Sequence, residues 1–180
     1  MSEIGEPRRR PCFRLVAPDD EPGTLMDFRI LGLDPAPFAP FYGAPDDELR
    51  SHNILRLRVD SPVGYPDRIE LRDAAVGEHV LLLNHLYLDV ASPYRGRHAI
   101  FVREGAMQRR DLINQVPPAL ATRLLSLRAF DRSGMMVDAD VIAGQALPKL
   151  IEQFLSNPDV DFLHAHHAKR GCYAARIERA

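Results

Sequence analysis

The run Leu125-Ser126-Leu127-Arg128-Ala129-Phe130-Asp131-Arg132-Ser133-Gly134-Met135-Met136-Val137-Asp138-Ala139-Asp140-Val141 decides the fold, because it holds two strand-like alternations around a turn. Successive side chains of a strand point to opposite faces, so a period of two separates a core face from a solvent face. Leu125, Leu127 and Ala129 alternate with Ser126, Arg128 and Phe130. Beyond Asp131-Arg132-Ser133-Gly134, Met135, Val137, Ala139 and Val141 alternate with Met136, Asp138 and Asp140. Gly134 suits the left-handed position of a three-residue hairpin loop. That loop pairs Asp131 with Met135 and sets Arg128 opposite Asp138, a favourable cross-strand ion pair. It also gathers the aliphatic side chains on one face, so turn, charge and pattern agree on an antiparallel hairpin.

Toward the C-terminus, Gln145 to Leu155 repeats Leu147, Leu150, Ile151, Phe154 and Leu155 at helical spacing. Pro148 fits only a first turn, and Asn157-Pro158 is a stop. Val160 to His167 and Cys172 to Glu178 read as strands joined at Lys169-Arg170-Gly171. This second three-residue loop pairs Ala168 with Cys172, His166 with Ala174 and His164 with Arg176. One face then carries Leu163, Ala165, Tyr173, Ala175 and Ile177, and the other Phe162, His164, His166, Cys172, Ala174 and Arg176. A crossover from strand 135–142 through the helix to strand 160–167 would lay the helix on the apolar face. The opposite face would present Ser126, Arg128, Asp138, Asp140, His164, His166, Cys172 and Arg176 together.

Upstream, strand alternation recurs at Asp27–Leu33, Ile54–Val59, Arg68–Arg72, His79–Tyr87 and His98–Arg103, with turn clusters between them. Pro35, Pro37, Pro40 and Pro45 exclude a regular helix or central strand before about residue 46. Residues 1–25 are polar and proline-rich and read as a flexible arm. Residues 26–180 read as a single α+β domain, its sheet mostly antiparallel, with one clear long helix packed on one face.

Composition narrows the function classes. The 180 residues suffice for one domain with a hydrophobic core. The net charge of −2 argues against a generally basic nucleic-acid binder, leaving only Arg8-Arg9-Arg10 of the arm as a local basic patch. The longest aliphatic run, Val80–Leu83, is far below a membrane span, and the first residues lack the apolar segment of a secretory signal. A cytoplasmic location is the expectation. The basic residues comprise 21 arginines and 2 lysines. GC-rich codon usage explains such a skew without selection for function, so each arginine must qualify by position.

Several groups qualify. His164 and His166 lie about 7 Å apart on one strand face, a spacing suited to two ligands of a divalent metal or to proton transfer. Hydrogen-bonded imidazoles within a half-buried sheet are the plainer reading. Cys172 beside His166 is either a nucleophile or a small core residue. Arg128, held by Asp138, and Arg176 would grip an anion, joined by Tyr94 and Arg95 from the loop 92–98. Phosphate-loop, dinucleotide, α/β-hydrolase and zincin motifs are absent from the sequence.

A wider set of motifs resembles a known family. It comprises Phe28-Arg29-Ile30, Gly64-Tyr65-Pro66 with Arg68, Leu71-Arg72-Asp73-Ala74, Gly77-Glu78 and Leu81-Leu82-Leu83-Asn84. It continues through Ser92-Pro93-Tyr94-Arg95, Ile100-Phe101-Val102-Arg103-Glu104, Leu127-Arg128-Ala129, Gly134–Asp140, His164-Ala165-His166 and Arg170-Gly171-Cys172. From Met26 to Ala180 the chain resembles the bacterial family catalogued as domain of unknown function 1203. The resemblance implies an intracellular single-domain bacterial protein and supplies no activity. Relatives carry a cysteine after the Gly-Tyr-Pro turn where this chain has Asp67, so a two-cysteine site with Cys172 is not implied. The expectation is a small anionic ligand site, enzymatic or not, on the polar sheet face. The competing class is a non-catalytic binding or regulatory module in which the same groups are structural.

Overall fold

The chain forms nine strands in the computed structural model, which describes residues 27–180, eight of them where the sequence alternates. These are β1 (Phe28–Leu31), β2 (Leu55–Arg58), β3 (His79–Leu88), β4 (Gly96–Arg103), β5 (Asp111–Ile113), β6 (Leu124–Phe130), β7 (Met136–Ala143), β8 (Phe162–His167) and β9 (Tyr173–Arg179). The helices are α1 (Asp46–Ser51), α2 (Pro118–Ala121) and α3 (Leu147–Leu155). Instead of one sheet there are two: a six-stranded sheet in the order β5-β1-β9-β8-β6-β7 and a three-stranded sheet β2-β3-β4. All pairings between these strands are antiparallel. The expected arm, residues 1–25, lies outside the described residues. Among those described, no helix is long and apolar enough to cross a membrane.

The expected long helix is short. α3 has nine residues, preceded by a single 3-10 turn at Gly144–Ala146. Its Leu147, Leu150, Ile151, Phe154 and Leu155 join Leu125, Leu127, Ala129, Leu163, Ala165, Ala175 and Ile177 in the main core. The second core lies under the small sheet, where Leu81, Leu83, Ile100 and Val102 meet Phe38, Leu49, Ile54, Ile69 and Tyr173. Arg68–Arg72 is not a strand. It is a buried loop in which Leu71 takes φ 54°, a left-handed conformation that ends any strand alternation.

Both decisive hairpins form, and each carries a bulge that changes its faces. In the first, Asp131 N donates to Met135 O at 2.9 Å as expected, but Val137 is an extra residue between the Phe130–Met136 and Ala129–Asp138 pairs. A one-residue slip moves every later side chain to the other face. Arg128 therefore stands opposite Ala139, while Asp138 and Asp140 face the Ala129 and Leu127 side. The expected Arg128–Asp138 pair does not exist. In the second hairpin His164 meets Arg176 as expected, but Ala174 is the extra residue and His166 meets Tyr173. Tyr173 thus leaves the helix side for the histidine side, and Ala174 enters the main core.

The turn between β3 and β4 leans on the first hairpin. Ser92 Oγ donates to Gly134 O at 2.9 Å, and a Cβ on Gly134 would come 2.5 Å from Val90 Cγ2. Gly134 also has φ 79°, so both turn geometry and this contact require glycine.

Candidate functional site

Cross-strand register builds three rows on the side of the large sheet that faces away from α3. They are Arg128–His164–Arg176, Ser126–His166–Tyr173 and Phe130–Phe162. The small sheet lays His85 and Tyr87 over them. A third bulge, at Tyr87 between the Leu86–Arg97 and Leu88–Gly96 pairs, aims that ring at the histidines. Tyr87 stacks on Tyr173 at 5.7 Å between centroids and meets His166 edge-on at 5.0 Å. His164 sits among Tyr173 at 5.0 Å, Phe162 at 5.1 Å and Phe130 at 5.3 Å.

The expected histidine pair is therefore sealed, with His164 2% and His166 0% exposed. His166 Nδ1 donates to Gly171 O at 3.0 Å, which leaves Nε2 as the lone-pair nitrogen of a neutral ring. Burial pushes His166 down to about 4, with the Arg128 charge adding to it, and pushes His164 well below its usual value, helped by His166, Arg176 and Arg128. His164 Nδ1 and His166 Nε2 have no hydrogen-bond partner. Among the described residues no three His, Cys, Asp or Glu side chains converge as a metal-binding group.

The other expected residues disperse around this core. Arg128 reaches only Ser126 Oγ, at 3.4 Å, after the slip removes Asp138. Arg176 lies 4.0 Å over the Phe162 ring and is held by Glu178 at 3.0 Å. Tyr94 meets Phe130 edge-on at 6.2 Å on the β3–β4 turn. Arg95 pairs with Asp89 at 2.8 Å in solvent, where such a pair contributes little.

Cys172 has a partner the sequence did not announce. Arg68, 2% exposed, donates from Nη2 to Cys172 Sγ at 3.2 Å, from Nε to Tyr173 O at 2.9 Å and from Nη1 to Pro66 O. Neighbouring Asp67 spends its carboxylate on the backbone N–H groups of Ile69, Glu70 and Arg103. The buried guanidinium is thus met by carbonyls and a thiol, and it clamps the 66–72 loop to β9.

A cavity opens elsewhere, beside β3. It has a volume of about 690 Å³. Phe38, Phe41 and Ile54 line it with His52, Asn53, Asn84, His85 and Arg97, and no acidic residue contributes. Its wall is built by α1. Asn53 takes φ 57° just past the helix, and Ile54 N donates back to Leu49 O at 2.9 Å. Arg56 ties this wall to the small sheet through Glu104 at 2.8 Å and Ala44 O at 2.7 Å. Phe38 stands 5.7 Å from the His85 ring, and Phe41 meets His52 edge-on at 5.2 Å. Burial, followed by the Arg97 charge, lowers the His85 pKa, which favours a neutral imidazole on the groove floor. The Arg97 side chain, exposed on β4, makes no hydrogen bond or ion pair among the described residues. Arg97, His52, Asn53 and Asn84 were all missed by sequence reasoning; only the polar Asn84-His85 step inside an otherwise apolar strand could have signalled them.

The fold and this groove define a two-sheet antiparallel α+β domain with a concave, acid-free surface at one strand's edge. The model for the family described as Protein of unknown function (DUF1203) matches residues 64–179, and the chain belongs to that family. No curated protein and no solved structure matches the chain.

Proposed function

We propose that this protein is a binding module that takes an anionic ligand with an apolar body in the groove beside β3. The observation that carries the reading is the Arg97 guanidinium, unpaired among the described residues, on a cavity that these residues wall with Phe38 and Phe41 and without a carboxylate. Concave sites of this kind, with a few convergent polar groups, are the usual place for a ligand. Arg97 would bind the negative group, the Asn53 and Asn84 amides would fix its orientation, and the phenyl rings would cover the apolar body. His164 and His166 support the floor: their neutral rings pack on Tyr173, which in turn lies 6.2 Å from His85. The anion-binding role expected of Arg128 and Arg176 thereby passes to Arg97, because the cluster that Arg128 and Arg176 flank is closed.

Titration with phenylacetate, followed by the imidazole NMR signals of His52 and His85, tests this. Both signals should shift with saturation, and Arg97→Glu should weaken binding at least about tenfold, the loss of one charge-assisted contact. Unmoved signals at millimolar phenylacetate would refute the reading.

A further inference from the structure

We infer that the groove's occupant is an extended acidic peptide that adds a strand to the edge of β3; the inference rests on the groove being the binding site. The argument starts from pairing. β2 covers β3 only from His79 to Leu82, its partners being Arg58 to Leu55. Val59 N donates to Glu78 O, so Leu57 and Leu55 face β3 in turn and the next residue that could bond it is Asn53, whose N–H is already given to Arg50 O at the end of α1. From Leu83 onward β3 is paired on its β4 side alone. Every second residue of an antiparallel strand turns both its N–H and its C=O away from a given neighbour. Asn84 and Leu86 therefore present backbone groups toward the space that β2 vacates. Among the described residues no loop backbone fills it, since neither takes part in a backbone hydrogen bond outside the sheet.

The cavity occupies that space. Its lining includes Leu83 and His85 from one face of β3 and Asn84 and Leu86 from the other. Four consecutive residues, from both faces, border one groove, as they do where it runs along the strand's edge. Four residues of edge span about 14 Å, enough for a short extended segment. An added strand would place alternate side chains on the two faces of the small sheet. One set would meet Phe38 on the His85 side. The other would meet Arg97, which stands opposite Leu86. The acid-free lining selects a ligand with acidic side chains at the second set. This combination of main-chain pairing for affinity and alternating pockets for choice is the strand-addition mode of peptide recognition.

The test uses a blocked hexapeptide alternating Glu and Val, its Lys-Val counterpart, and two Glu-Val versions N-methylated at every second backbone nitrogen, one for each register. The full chain is titrated and its backbone amide signals are followed. The expected result is saturable shifts at Leu83 to Leu86, at least tenfold weaker binding of the Lys-Val peptide, and at least tenfold weaker binding of one methylated version. Competition by phenylacetate should displace the peptide. Equal affinity of both methylated versions would overturn strand addition. Phenylacetate binding without peptide binding would overturn the peptide while leaving the groove reading intact, and failure of both ligands would overturn both. Concentration-dependent dimerisation that shifts Leu83 to Leu86 without peptide would assign the edge to a second copy of this chain and likewise overturn it.

Discussion

Acid should destabilise this protein before most of its carboxylates titrate, because its buried histidines are held neutral. Burial pushes His166 down to about 4 and His167 down to about 3, with the Arg68 and Arg123 charges adding to the effect on His167. An unfolded histidine titrates near 6.5. For a base whose pKa is lowered by folding, the stability gain is complete above the unfolded value and is lost as pH falls below it. Between about pH 6.5 and 5 each of these groups binds close to one more proton unfolded than folded. At 1.36 kcal/mol per pH unit, that removes about 2 kcal/mol for each, or about 4 kcal/mol together. His164 acts in the same direction. Ordinary domains have only about 5–15 kcal/mol in total, so the loss is a large share. Glu78, held at about 2 by Arg72, loses its contribution only as pH falls from its unfolded value toward that figure, below this window. Asp67, whose pKa burial raises, works the other way once it protonates. Urea unfolding followed by circular dichroism at about pH 7.5, 6 and 5 measures the slope. His166→Gln, which can still donate toward Gly171, should reduce the loss by about 2 kcal/mol. A wild-type stability constant within about 1 kcal/mol from pH 7.5 to 5 would refute the assignment of neutral buried rings.

Three further outcomes test particular contacts. Gly144→Ala should destabilise by about 3 kcal/mol or more in thermal or urea unfolding, because its Cβ would lie 1.9 Å from Leu120 O. Asp138→Ala should change stability by less than about 0.5 kcal/mol, and a double-mutant cycle with Arg128→Ala should show no coupling; coupling above about 0.5 kcal/mol would restore the unbulged register. Arg68→Met should cost about 3 kcal/mol by leaving buried acceptors unmet. In a Cys12→Ser background it should also speed iodoacetamide labelling of Cys172, and an unchanged rate would show that Arg68 does not shield the thiol.

Most strands were legible because their alternation is dictated by having one buried face. The turns at Asp131–Gly134 and Lys169–Gly171 were legible because left-handed backbone favours glycine, and both Gly134 and Gly171 have positive φ. The faces were harder to read. Val137, Ala174 and Tyr87 are inserted where either neighbour would fit equally well by hydropathy, and each insertion exchanges inside for outside. β7 shows why pattern failed there: it is the sheet's edge strand, mostly exposed, so burying Val137 and Val141 on one face exerts little pull. β8, buried along its whole length, keeps one register with β6 throughout, although its other neighbour β9 carries the Ala174 bulge. The sequence-derived ion pair of Arg128 with Asp138 rested on the edge strand, and the His164–Arg176 pairing rested on central ones. Only the second survives.

The candidate site was less legible than the fold for a different reason. Its recognition groups come from a proline-rich loop, a helix cap and two strands, so no local spacing joins Phe38, Asn53, His85 and Arg97. What creates the groove is where β2 stops, and that is decided by a competition for one N–H. The register turns the amide of Asn53, not that of Ile54, toward β3, and at the end of the six-residue helix α1 Asn53 gives it to Arg50 O instead. Asparagine tolerates the left-handed conformation that such a cap requires. The cap thus closes α1 and leaves the edge of β3 open in the same step. An exposed edge is ordinarily a hazard that proteins cover or blunt. Here the edge is recessed behind Phe38, Phe41 and His52, which bars broad sheet-to-sheet association while leaving room for a single extended chain. Water satisfies such an edge in the free protein, so the groups left by β2 are donors and acceptors that a ligand with a backbone of its own can take over, which no residue motif in the sequence announces.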